Sequence, residues 1–359
     1  MKSKRTILFM GLILTIFLIL IGFYCFNLNE IRKEISEKSV TNIIVEGNEI
    51  DFDSLTLKQK IAQMIIVRGD KKDLGFNNLN IGGIFLDKQK TEEDYKNLIK
   101  DYQEDSKLEL FVSTDLEGAW TPFHEEKPHQ IFPHFSEIKT IEEAGEVGLK
   151  HGELLKEIGF NLNFAPVAEF SDSAYGGRVF SGSKEEIINK IQAYILGLQK
   201  NVLGTCKHYP GNSMEKNLHY VSDKQIISVE DLELFNICLN NNISSMMVGH
   251  HIVEGELDSN GKPSSVSKEI ISTIDSSILI ISDEINMRAL KNSYPKKIRM
   301  YVDLINSGEN IILDFDLNSV QLYKLIKEIE GEVERGNIGE EMINKSVRKI
   351  LIAKGYKLK

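Results

Sequence analysis

The chain has 359 residues, 42% hydrophobic and 27% charged, with a formal net charge of −10. This composition predicts a packed globular core and excludes a disordered chain. The acidic balance argues against a nucleic-acid partner, which needs a basic face.

Taken in chain order, Lys2, Lys4 and Arg5 precede an uncharged run from Ile7 to Phe26. The run is long enough to cross a bilayer as a helix. No A-x-A-like cleavage site follows it, and Tyr24 before Cys25 fits a lipobox poorly. The expectation is a basic cytoplasmic flank over 1–6, a retained single-pass anchor over 7–26 and a polar stalk over 27–50. The rest of the chain, 51–359, then lies outside the cytoplasm by the positive-inside rule.

From Ser54 onward, short apolar runs alternate with longer stretches of helical spacing. Eight runs read as strands: Ile65–Val67, Ile81–Leu86, Leu108–Thr114, Asn163–Val167, Val202–Cys206, Ser245–Gly249, Ile278–Ser282 and Asn310–Asp314. Thr56 with Gln59, Thr140 with Glu143, Ser183 with Glu186 and Ser228 with Asp231 fit the N-cap pattern that opens a helix. Ile187, Ile191, Tyr194, Ile195 and Leu198 share one helical face. Gly159 suits a helix C′ position, and Ile343–Leu351 reads as a closing helix.

Buried strands alternating with amphipathic helices imply a parallel sheet. The fold class is α/β, and eight such units fit a (β/α)8 TIM-like barrel. A doubly wound open sheet is the runner-up. No GxGxxG or GxxxxGK[ST] motif follows the early strands, so a dinucleotide or P-loop reading has no support. Three cysteines are too few for a disulfide framework, and no Cys/His cluster has metal spacing. Cys206 and Cys238, in apolar surroundings, read as buried structural thiols. No cofactor is expected.

A barrel draws its catalytic groups from the C-terminal ends of its strands. Those ends carry Asp115-Leu116-Glu117-Gly118, Glu169 with a loop holding Arg178, Lys207-His208, His250-His251 and Asp283-Glu284. The segment Lys207–His219 adds a Pro-Gly turn and a further histidine. Carboxylates, histidines, a lysine and an arginine on one rim suit a sugar, whose vicinal hydroxyls take paired hydrogen bonds from charged side chains. Each residue also has a plainer use. Asp283 and Asp115 suit helix caps or turns, His219 a solvated loop, and His250 and His251 a core. Trp120 suits either the floor of a sugar subsite or ordinary packing.

In order, the motifs resemble glycoside hydrolase family 3, in its single-domain β-N-acetylhexosaminidase branch. Ser54–Met64 resembles the family's opening S-L-T-L-x-x-K-I-x-Q-M, and Ile81-Gly82-Gly83-Ile84 its second strand. Asp115–Gly118 resembles D-x-E-G, Asn161–Val167 N-x-x-F-A-P-V, Lys207–Gly211 K-H-F-P-G, and Ser282–Met287 S-D-D-L-x-M. Pro263–Ser267 also follows the family's pattern. The resemblance implies Asp283 as nucleophile and His219 as the mobile acid/base, with Asn217 in the position that orients it. It implies Asp115, Arg178, Lys207, His208 and His250 as substrate contacts.

Two departures stand out. Asn217 occupies a position where the family carries Asp, and Ala119-Trp120 and Phe123 replace a segment that bears two arginines. The implied activity is a retaining glycosidase that releases terminal β-linked N-acetylglucosamine from bacterial cell-wall fragments. The alternatives are a catalytically weak or inactive sugar-binding protein on the same barrel, a β-glucosidase, or a phosphorolytic relative. The implied partners are a carbohydrate and, through the N-terminal helix, the membrane, with the chain a monomer.

Overall fold

The computed structural model describes residues 2–37, 43–123, 132–172, 175–211 and 224–359. Eight parallel strands close into a barrel: β1 Ile65–Arg68, β2 Gly83–Phe85, β3 Phe111–Thr114, β4 Leu162–Asn163, β5 Leu203–Tyr209, β6 Ser245–Val248, β7 Leu279–Glu284 and β8 Ile311–Asp314. They pair in chain order, and β8 returns to β1 with Leu313 opposite Ile66. Each overlaps one of the runs read from the sequence. Ile65, Ile66 and Val67 of β1 and all of β8 are buried. One face of each strand fills the barrel and the other meets a helix, so the runs are continuously apolar rather than alternating.

The described helices are α1 Lys2–Glu37, α2 Leu57–Gln63, α3 Leu74–Leu79, α4 Glu92–Glu104, α5 Ile141–Ile158, α6 Lys184–Leu198, α7 Val229–Asn240, α8 Lys297–Ser307, α9 Ser319–Glu334 and α10 Glu340–Ala353, besides shorter helical turns. All four expected N-caps form. Thr56, Ser183 and Ser228 make reciprocal capping boxes, and Thr140 accepts from Glu143 N at 3.1 Å. Each cap contributes about 1 kcal/mol by satisfying a backbone donor the helix leaves free. Gly159 ends α5 with φ 114°. Ile187, Ile191, Tyr194, Ile195 and Leu198 of α6 are all buried.

Helices α5 and α6 pack closest where glycines face them. A β-carbon on Gly148 would strike the Tyr194 carbonyl, and one on Gly197 the Gly145 carbonyl. Glycine there lets two backbones meet, which brings Tyr194 of α6 against His151 of α5. His151 Nδ1 lies 2.8 Å from the Tyr194 hydroxyl, and burial drives its pKa down to about 3. It is therefore a neutral core histidine beneath the rim.

Within the stretch expected as a stalk, 27–50, the described residues carry regular structure. Helix α1 continues through Glu37. Leu28 and Ile31 are half-buried and Ile35 is buried, a stripe at helical spacing that packs on α3 and α9. Glu34 pairs with Lys327 of α9 at 3.3 Å. Farther back, Phe9, Met10 and the bulky side chains from Ile13 to Phe26 stand exposed, and Ile13–Ser36 is long and apolar enough to cross a bilayer. Val45–Glu46 pairs antiparallel with Glu49–Ile50, which pairs in parallel with Lys357–Leu358. This small sheet covers the N-terminal end of the barrel. Beside it the Tyr356 hydroxyl accepts from Glu109 N, just ahead of β3.

Cys206 and Cys238 are not free thiols. They form a disulfide. Cys206 of β5 faces the helix layer, where Cys238 of α7 meets it with the two Cα atoms 6.4 Å apart. Apolar surroundings in the sequence do not distinguish a buried thiol from a buried bridge. Alkylation of the unfolded, unreduced protein should label Cys25 alone, which is the free and exposed cysteine, and reduction should open two further sites. Labelling of all three before reduction would refute the bond. With a sequence separation of 32, Cys238→Ala should cost about 3–4 kcal/mol of stability, measured by denaturant unfolding.

Candidate active site

The C-terminal strand ends open into one cavity of about 540 Å³. Its wall includes Asp115, Glu117, Arg178, Lys207, His208 and Asp283. Five positions expected from the sequence (Asp115, Arg178, Lys207, His208 and Asp283) are thus brought together from four different strand ends.

The segment after β3 is held from both sides. Asn163 of β4 is fully buried. Its Oδ1 accepts from Leu116 N at 2.9 Å and its Nδ2 donates to Leu116 O at 3.0 Å. The chain then turns sharply, with Glu117 N donating to Trp120 O at 2.8 Å and Trp120 N to Glu117 O at 3.2 Å. Gly118 takes φ 67° in that turn, and a β-carbon there would collide with the Pro133 carbonyl. Asp115 and Glu117 therefore leave the strand end in fixed directions.

Glu117 is the centre of the electrostatics, and the sequence reading gave it no role. Its carboxylate takes Arg178 through Nε at 2.5 Å and Nη2 at 2.9 Å, and it is also ion-paired with Lys207. Lys207 Nζ reaches on to Asp115 Oδ1 at 2.5 Å. The Glu117 and Lys207 side chains are each 2% exposed. Burial alone would raise the Glu117 carboxyl, but Arg178 and Lys207 outweigh it and hold the pKa at about 2. Burial would likewise discharge Lys207, yet Asp115 and Glu117 keep its pKa above the ordinary value. Asp115 is shifted upward, chiefly by burial, with Lys207 opposing. Burial and the nearby Lys207 and Arg178 charges push His208 well down, so it is neutral. Its Nδ1 lies 3.5 Å from Glu169 Oε1.

Arg178 is presented by a braced loop. Asp172 accepts from Tyr175 N at 3.0 Å and from Arg178 N at 2.8 Å. Lys190, buried in α6, donates to Ser181 O and Ile138 O. The guanidinium also lies 5.0 Å from the Tyr175 ring centre.

Across the cavity, Asp283 sits near the end of β7. It accepts from Glu284 N at 2.7 Å and makes no ion pair among the described residues. It faces a cavity in which Asp115, Glu117, Arg178 and Lys207 are paired with one another. The neighbouring Glu284 is tied down, its Oε1 accepting from Asn286 N and Nδ2. Asn286 also reaches buried Asp314, which holds Lys297 Nζ and the Tyr301 hydroxyl. This network anchors the β7–β8 edge of the rim and was not visible in the sequence.

His250 departs from its expected place as a substrate contact. It is 1% exposed, with Nδ1 2.7 Å from Ser265 Oγ and Nε2 3.0 Å from the Glu284 carbonyl. Both ring nitrogens are spent on protein groups, and they brace the strand end that carries Asp283. Asn217 and His219 lie outside the described residues. Among the described residues no group of three or more His, Cys, Asp or Glu is placed to hold a metal ion.

The model of the glycosyl hydrolase family 3 N terminal domain matches residues 56–353. A beta-hexosaminidase of Mycobacterium tuberculosis, LpqI, is 24% identical over 237 residues, covering 61% of this chain and 61% of that protein. The chain thus aligns with about three fifths of that curated relative. The solved structure of M. tuberculosis LpqI superposes with a TM-score of 0.75 at 20% identity, over 85% of this chain and 95% of that one. A family 3 β-N-acetylglucosaminidase from Paenibacillus sp. str. FPU-7 gives 0.75 at 21% identity, over 84% of this chain and 62% of that one. At these identities the two structures establish the shared barrel.

Glu117→Gln removes the charge that Lys207 and Arg178 share. Breaking a buried ion network from one side should cost roughly 3–5 kcal/mol, read by chemical denaturation. Because the Glu117 pKa is depressed to about 2 from 4.5, its contribution is complete above the higher value and lost as pH falls toward the lower. The stability gap between wild type and variant should therefore be constant at neutral pH and shrink in acid. A gap that widened in acid would contradict the network.

Proposed function

Because the chain belongs to glycosyl hydrolase family 3, we propose that it is a retaining glycosidase that removes terminal β-linked N-acetylglucosamine from cell-wall fragments. One observation carries the reading. Asp283 has no ion pair among the described residues, and it shares the cavity with Asp115, Glu117, Arg178 and Lys207, which are bound to one another. A nucleophile must be free to attack, whereas binding groups must be held still.

In the first step an Asp283 oxygen attacks the anomeric carbon, the glycosidic bond breaks, and His219 protonates the departing oxygen. The product is a glycosyl ester on Asp283. In the second step His219 takes a proton from water, the resulting oxygen attacks the same carbon, and Asp283 leaves as carboxylate. The sugar is released with its original anomeric configuration. Histidine titrates near neutrality and serves in both directions. Asp115 and Lys207 offer an acceptor and a donor to the sugar hydroxyls. Arg178 acts from behind, orienting Glu117 and through it Lys207.

A second reading, a sugar-binding protein of weak activity, is favoured by Asn217. An amide can orient an imidazole but supplies no negative charge to raise its pKa. The location follows the same reasoning. The apolar N-terminal helix with its basic flank supports a membrane anchor with the barrel outside the cytoplasm. A disulfide between β5 and α7 suits an oxidising compartment.

The full chain, solubilised in detergent, should hydrolyse p-nitrophenyl β-N-acetylglucosaminide in preference to the β-glucoside. Asp283→Ala should lose on the order of a thousandfold in kcat, and His219→Ala roughly a hundredfold or more. Equal rates for wild type and Asp283→Ala on both substrates would sink the glycosidase reading. Asn217→Asp should raise activity near neutral pH. An unchanged or lower rate would count against a charge-assisted histidine. In membrane fractions the chain should resist alkaline extraction, and release into the supernatant would exclude a retained anchor.

A further inference from the structure

Trp120 is the one tryptophan of the chain. It is 40% exposed. Outside α1, it is the one exposed large hydrophobic residue among the described residues that lines the cavity. Leaving an indole in contact with water forgoes the stabilisation that its burial would bring. The ring is nonetheless held in place. Nε1 donates to Gly176 O at 2.9 Å, and the indole stands at 89° to the Tyr175 ring with centroids 6.3 Å apart. Its backbone is paired with Glu117 in both directions. An exposed aromatic face is thus fixed to the same turn that carries the buried ion network.

The cavity has two chemically distinct ends. The inner end holds the paired charges with Asp283. The outer end is edged by Trp120, Thr121 and Pro122 on one side, and by Arg68, Asp87 and Asp316 from other strand ends. Arg68 is already paired with Asp70 and Asp87, and the exposed Lys88 also lines the mouth. The mouth offers an apolar plane beside charged groups of both signs. That combination suits a neutral ring with one C–H face and several hydroxyls at its edge.

We propose that Trp120 is the platform of an outer subsite, which stacks on the second sugar ring of a β-linked oligosaccharide while the ring to be cleaved occupies the inner end. The proposal rests on the glycosidase reading and makes the substrate an oligosaccharide rather than a simple glycoside. Because the indole is pre-oriented, stacking costs little additional ordering.

As the only tryptophan, Trp120 reports on its own subsite by intrinsic fluorescence. The full chain in detergent, carrying Asp283→Ala to block turnover, would be titrated with N-acetylglucosamine and with its β-1,4-linked disaccharide. Binding would be followed in parallel by calorimetry. The disaccharide should shift and change the indole emission, while the monosaccharide should bind with little change. Calorimetric binding of the disaccharide with silent fluorescence would overturn the platform, and so would equal responses to both sugars.

Turnover of p-nitrophenyl β-N-acetylglucosaminide by wild type, without disaccharide binding to the variant, would overturn the outer subsite alone. Absence of both turnover and binding would overturn the glycosidase reading with it. In the active protein, Trp120→Ala should lower kcat/KM for the disaccharide between roughly twofold and tenfold more than for the methyl monosaccharide glycoside. Trp120→Phe should recover part of that difference. Equal losses on the two substrates, or no recovery with Phe, would refute stacking.

Discussion

A carboxylate buried at the barrel mouth, Glu117, governs the geometry around it. It is shared between Arg178, on the loop after β4, and Lys207 of β5. Taking such charges out of water costs several kcal/mol each, so the arrangement persists only where every partner is present. Asn163 fixes the backbone at Leu116. Asp172 and Lys190 fix the loop that carries Arg178. The result is a wall of the cavity whose charges are mutually neutralised and positionally stiff.

Against that wall, Asp283 has the opposite character. The structure spends Glu284, Asn286, Asp314 and His250 on anchoring the end of β7, and leaves Asp283 without an ion pair among the described residues. Rigid support with a free carboxylate is what a nucleophile requires. The same turn that buries Glu117 holds Trp120 out toward the mouth, so the ion network and the exposed indole are joined through three peptide units.

The far ends of the chain are tied to the barrel as well. The last turns of α1 dock on α3 and α9 through Leu28, Ile31 and Ile35, so the apolar part of the helix meets the domain without an intervening free linker before Glu37. The C-terminal strand completes a sheet with Glu49–Ile50 below the barrel. The Cys206–Cys238 bridge fastens β5, which carries Lys207 and His208, to the helix beside it.

Local patterning determined much of this. Eight apolar runs, four capping pairs and a glycine-ended helix are signals contained within a few residues each, and all became the elements they imply. The resemblance to the family, carried by short motifs in order, located Asp115, Arg178, Lys207, His208 and Asp283 on one rim. Other features depended on partners distant in the chain. Glu117 is an ordinary strand-end acid until Arg178 and Lys207 close on it. His250 looks like a ligand until Ser265 and the Glu284 carbonyl take both its nitrogens. Cys206 and Cys238 look like core thiols until β5 and α7 face each other, and residues 28–35 look like a polar stalk until a barrel flank meets their apolar stripe. The sequence by itself determined which segments form strands and helices, because those choices rest on neighbouring residues. Only the tertiary structure decided which charges are paired and which stay free, because pairing depends on through-space distance and burial that no local pattern encodes.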